Sequence, residues 1–127
     1  PDMLVAIVAL ANYAKLNGEK YRDVVDIWLA NMKANHMDST TGLIKSLVPD
    51  GETWIGEQPV LGSYSALSVY YLTYVDEDLA REQYALLKKT FLKKRPFTGF
   101  RELPKGTKGQ ILLMDSGPVI FGLSPTG

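Results

Sequence analysis

DEDLAREQYALLKKTFLKK, residues 76–94, is the stretch that decides the fold. Asp76 is a good helix N-cap, Glu77 and Asp78 fall in the first turn, and Lys88, Lys89, Lys93 and Lys94 crowd the end. Acid at the start and base at the end both complement the helix dipole. Ala80, Tyr84, Leu87 and Phe91 recur at i, i+4, i+7 and i+11, which predicts one buried stripe. Pro96 stops the helix.

Working back from Asp76, the spacing predicts a helix from about Ser63 to Tyr74. It carries Tyr64, Leu67, Tyr70, Tyr71, Leu72 and Tyr74 and no charged residue. A helix apolar all round is expected to be buried on every side. The same pairing occurs upstream. Residues 3–16 are apolar nearly all round, with Asp2 placed as a cap and Asn17-Gly18 as a left-handed stop. Lys20 to His36 is amphipathic, its stripe Tyr21, Val25, Trp28 and Met32. Each pair ends in a similar tripeptide, Thr41-Gly42-Leu43 and Thr98-Gly99-Phe100, an offset of 57 residues. Leu43–Val48 and Thr53–Ile55 read as short strands joined by Pro49-Asp50-Gly51-Glu52, a β-hairpin at 43–55.

The pattern predicts an all-α fold built from antiparallel α-hairpin repeats. The hairpins lie at 1–37 and 62–95 of a single partial domain, 1–127, followed by a C-terminal loop segment. Alternating buried and half-exposed helices stack as a double layer, buried helices inside and amphipathic helices outside. Two hairpins cannot close such an array. The chain is therefore expected either to be a fragment that packs on a missing remainder or to bury its apolar faces by self-association.

Composition narrows the classes. The 127 residues suit one domain, and 46% hydrophobic with 22% charged content describes an ordinary globular core. The longest apolar run, Met3 to Ala11, is too short for a membrane span, and the chain opens at Pro1 without a signal-peptide pattern. The chain has no cysteine and one histidine, His36. Thiolate chemistry is excluded, and neither a metal site nor a cofactor is expected. His36 reads as a cation favoured at a helix end. Asp38 to Thr41 offers too few carboxylates for calcium. Net charge is zero, yet residues 88–110 hold eight basic side chains and one acidic. A helix end explains half of that block, and no nucleic-acid module accompanies it, so a solvated face is the reading and no nucleic-acid partner is expected. Gly106-Thr107-Lys108-Gly109 lacks the strand and helix of a phosphate loop.

Six segments occur in an order that carries a resemblance: Pro1-Asp2-Met3, Thr41-Gly42-Leu43, Gly62-Ser63-Tyr64-Ser65-Ala66-Leu67, Ala80-Arg81-Glu82-Gln83-Tyr84, Phe100-Arg101-Glu102 and Asp115-Ser116-Gly117-Pro118-Val119-Ile120. Together they resemble bacterial (α/α)6-toroid proteins related to the six-hairpin glycosidases and to linalool dehydratase/isomerase. The resemblance covers most of this chain and about a third of a toroid. It implies a substrate funnel at the N-terminal ends of the inner helices. Asp115 and Glu102 would then be the catalytic acid–base pair. Tyr64, Arg101, Asp2, Glu57 and Ser63 would bind substrate. Four have a structural alternative: a cap for Asp115 and Asp2, an ion pair for Glu102 with Arg101 or a nearby lysine, core packing for Tyr64. The expected function is part of a toroid enzyme, glycoside hydrolase- or lyase-like, acting on a carbohydrate or other small hydroxylated substrate. The alternatives are a non-catalytic helical-repeat interaction module and an isoprenoid-alcohol dehydratase or isomerase. The resemblance implies a bacterial source and leaves the compartment open, outside the cytoplasm included.

Overall fold

The computed structural model of the chain describes residues 2–48, 58–94 and 98–107. Four helices occupy most of them: α1 (Asp2–Leu16), α2 (Arg22–Asn35), α3 (Gly62–Leu72) and α4 (Glu77–Phe91). Helix α1 packs on α2 and α3, and α3 packs on α4, so the two hairpins meet through α1 and α3. Two short antiparallel strands follow, β1 (Leu92–Lys93) and β2 (Gly99–Phe100), with Leu92 opposite Phe100 and Lys93 opposite Gly99.

The local chemistry explains the boundaries. Gly18 takes the left-handed conformation, and the Glu19 N–H donates to the Ala14 carbonyl at 2.8 Å, closing α1 as a Schellman motif. Asp2 lies inside the first turn of α1 rather than ahead of it. Tyr21 is left-handed and precedes α2, so it drops out of the expected stripe; Leu29 takes its place beside Val25 and Met32. Helix α4 ends at Phe91, before Pro96, because Leu92 and Lys93 turn into the β1–β2 pairing. Lys93 and Lys94 therefore lie beyond the helix they were expected to terminate.

Asp76 caps α4 as its sequence predicts. Its Oδ1 accepts the Leu79 N–H at 3.0 Å, and its Oδ2 accepts the Lys33 ammonium of α2 at 2.6 Å. The cap thus ties the outer helices together. The hydrogen bond from Lys33, helped by the Leu79 N–H, holds the Asp76 carboxyl below its ordinary 3.8.

The core has two parts. Leu4, Ile7, Ala11, Val25, Leu29, Met32, Ile44, Leu72, Leu79 and Ala80 form the larger, where the hairpins meet. Leu43, Val60, Leu87 and Phe91 form the smaller. Between them sits Gln83, 1% exposed, on the α4 face expected to be apolar. Its Oε1 accepts the Ile44 N–H and its Nε2 donates to the Gly42 carbonyl, both at 2.9 Å. The amide replaces the strand that Gly42 and Ile44 would otherwise pair with. Tyr84, expected in that stripe, is 48% exposed.

The Thr41-Gly42-Leu43 corner is a closed Asx turn. Asp38 Oδ1 accepts from the Thr41 N–H at 2.7 Å and the Thr41 hydroxyl at 2.6 Å. The expected strand over Leu43–Val48 is reduced to one isolated antiparallel bridge, Met37 to Ile44. The other half of that hairpin, Thr53–Ile55, lies outside the described residues.

The inner and outer helices differ less than their composition predicts. α1 buries Leu4, Ile7, Val8, Ala11 and Ala14 against three residues of α2, yet Met3, Val5, Tyr13 and Leu16 are exposed. α3 buries a seam of small residues, Gly62, Ser65 and Ser68, ending at Leu72, and exposes Leu67, Tyr70 and Tyr74. Neither is enclosed on every side. Among the described residues each packs mainly on two helices, and an apolar helix needs more to be fully covered.

Candidate functional site

The N-terminus of α3 is built from three segments. Leu61 precedes it and has no side-chain oxygen to cap the helix. Its own N–H donates to Ser46 Oγ at 2.7 Å. The corner after β2 then supplies what Leu61 cannot. The Gly62 N–H donates to the Glu102 carbonyl at 2.8 Å. The Glu102 carboxylate accepts the Ser63 N–H at 3.2 Å and the Ser63 hydroxyl at 2.7 Å. Glu102 thus caps α3 from 39 residues away in sequence. Its side chain is 1% exposed. A buried carboxylate is tolerated because two donors and the positive end of a helix face it.

Gly62 makes this approach feasible. A Cβ there would lie 2.2 Å from the Arg101 carbonyl oxygen, so only glycine lets the 101–102 backbone cross the helix end.

Beside the crossing lies a cleft of about 250 Å³. α3 contributes Ser63, Ala66, Val69 and Tyr70, α4 contributes Tyr84 and Leu87, and the corner contributes Phe100, Arg101 and Glu102. The walls are predominantly apolar. At its rim the Tyr70 and Tyr74 hydroxyls are 3.0 Å apart and their rings meet edge to face. The Tyr74 hydroxyl is held above its ordinary 10.0, first by its hydrogen bond with Tyr70 and then by that neighbour's charge. Lys88 Nζ lies 4.4 Å from the centroid of the ring of Tyr84, which lines the cleft, a cation–π contact.

Ser63, Arg101 and Glu102, singled out from sequence, come together here. Tyr64 is half-buried on α3 and is not part of the lining; neither is Asp2, exposed on α1. Asp115 and Glu57 lie outside the described residues. The expected ion pair of Glu102 with Arg101 does not form; the carboxylate goes to Ser63 instead. Sequence reasoning missed Tyr84, Phe100 and Val69, and read Tyr70 as core. The signal available for Tyr84 was its place between Arg81 and Lys88 on the charged side of α4, outweighed by its fit to an apolar spacing.

His36 closes α2 as its C-cap, with Nε2 3.3 Å from Asn31 Nδ2. Its Nδ1 is buried without a hydrogen-bond partner among the described residues. No group of three or more histidine, aspartate or glutamate side chains able to hold a metal occurs among the described residues. None of the described helices is long and apolar enough to cross a membrane.

Compared with family models, with curated proteins and with solved structures, the chain matches none.

Proposed function

We propose that the chain is a section of a helical array of the (α/α)6-toroid kind and that its working surface is the small-molecule cleft at the N-terminal end of α3. The observation that carries this reading is the convergence of Ser63, Arg101 and Glu102 on one cleft, from segments 39 residues apart. In this reading Glu102 is a positioning residue. Its carboxylate is committed to the α3 cap, and a proton-transfer role would need it to release Ser63. Acid–base chemistry on a carbohydrate or other hydroxylated substrate then rests on Asp115 as its first carboxylate. Arg101 and Ser63 remain as binding groups.

The test is a ligand-binding screen by NMR on the 127-residue chain, comparing small alcohols, sugars and organic acids. Ala66→Trp, placed in the cleft wall, should abolish binding of any hit while leaving the circular dichroism of the helices unchanged. Hits that survive Ala66→Trp would place binding elsewhere and overturn the cleft reading.

A second reading is favoured by a separate observation. The faces of α1 and α3 that carry Val5, Tyr13, Leu67 and Tyr70 are exposed, as in a helical-repeat module that packs on further helices. Self-association measurements, described below, address it.

A further inference from the structure

The cleft has a chemical bias that a sugar site would not have. Besides the Tyr70 and Tyr84 rings its walls are Ala66, Val69, Leu87 and Phe100, and against that aliphatic and aromatic part the hydroxyls of a polyol would be left without partners. Its polar groups are already engaged on one side. The Ser63 N–H and hydroxyl go to the Glu102 carboxylate, and the Gly62 N–H goes to the Glu102 carbonyl. The first amides of α3 are therefore not available to a ligand. Beside the lining tyrosines, Tyr70 and Tyr84, what remains is cationic. Arg101 belongs to the lining, and Lys88 sits against the Tyr84 ring. Among the described residues neither side chain is in an ion pair. Their nearest acidic neighbour in the cleft, Glu102, is buried and committed.

We infer that this cleft binds an amphipathic anion: a small molecule with a compact apolar body and a single carboxylate. The apolar body occupies the space between α3 and α4, and the carboxylate meets Arg101, with Lys88 adding to the positive field. A guanidinium pairs with a carboxylate through two parallel hydrogen bonds, and such charge-assisted bonds are roughly twice as strong as neutral ones. The volume of about 250 Å³ suits a short-chain or single-ring acid and is too small for an oligosaccharide. This inference rests on the cleft reading above and puts an amphipathic acid in place of its hydroxylated substrate.

The experiment titrates the 127-residue chain with octanoate, octanol and methyl glucoside, followed by NMR chemical shifts and calorimetry. Octanoate should bind about tenfold or more tightly than octanol, the worth of one charge-assisted contact. That preference should shrink as salt is raised, survive in Arg101→Lys and vanish in Arg101→Gln. Ala66→Trp should remove both ligands. Octanol binding as tightly as octanoate, and lost in Ala66→Trp, would overturn the anion while keeping the cleft as a ligand site. Methyl glucoside binding more tightly than octanoate would do the same in favour of a polyol. Octanoate binding that is indifferent to Ala66→Trp, or no binding of any probe, would overturn both the ligand class and the cleft.

Discussion

Gly62 carries two requirements at one position: its N–H meets the Glu102 carbonyl, and its missing side chain lets the Arg101 carbonyl pass. A Cβ placed 2.2 Å from that oxygen cannot be absorbed by a rotamer change, because the obstacle is backbone. Gly62→Ala should destabilise the chain by about 2 kcal/mol or more, as overpacking does, and should loosen the cleft with it. Gly18→Ala is the control. Gly18 is left-handed with open space around it, so only backbone strain, about 1 kcal/mol, is lost there. Urea unfolding of the two variants separates steric exclusion from strain; equal losses would remove the special status of Gly62. Gln83 shows the same economy of position. Replacing it by Leu would strand the Ile44 N–H and the Gly42 carbonyl in the interior and should cost about 1–3 kcal/mol despite a gain in hydrophobicity.

At the scale of elements, Asp76 does what its sequence context announces and something more. It caps α4 and holds Lys33 of α2, so its carboxylate joins the two hairpins. Asp76→Ala should cost about 1 kcal/mol at neutral pH. The sign of the pH dependence follows from the lowered carboxyl: the folded value lies below the ordinary 3.8, so the stabilisation is present above 3.8 and is lost as pH falls through the folded value. The difference between wild type and Asp76→Ala in urea midpoint should therefore narrow toward zero as pH falls below 3.8 and through the folded value. A difference that stays constant between neutral and acid pH would show that the charge of Asp76 has no part in the cap.

For the whole molecule, the consequential feature is the apolar surface left by α1 and α3. Met3, Val5, Tyr13 and Leu16 on α1 and Leu67, Tyr70 and Tyr74 on α3 are exposed, and α3 has no charged residue to keep a partner away. Contiguous apolar surface beyond a few hundred Å² marks an interface, so at about 100 μM the chain should sediment as more than a monomer and bind a hydrophobic dye. Val5→Lys with Leu67→Lys should give a monomer and abolish dye binding, with a change in stability of about 0.5 kcal/mol or less, since both sites are exposed. A monomeric wild type that binds no dye would rule out the interface.

Much of this was legible in the chain because it depends on neighbours in sequence. Helix propensity, the dipole-matched charges of α4, the Asp76 cap and the Asn17-Gly18 stop act within one or two turns, and the sequence alone determined four helices. What only the tertiary structure decided lies between segments distant in sequence. Glu102 had two readings open in sequence, catalyst or ion-pair partner, and became a helix cap because Leu61 left two amides of α3 without acceptors. Gln83, which no sequence pattern placed, is buried because a loop 39 residues away needed both a donor and an acceptor. Tyr84 went out onto the cleft wall, and α1 and α3 kept apolar faces in water, because burial depends on how many neighbours a helix finds rather than on how apolar it is. Periodicity ranks the faces of a single helix; it does not say which backbone group across the fold will be left needing a hydrogen bond, and that need placed the side chains of the site.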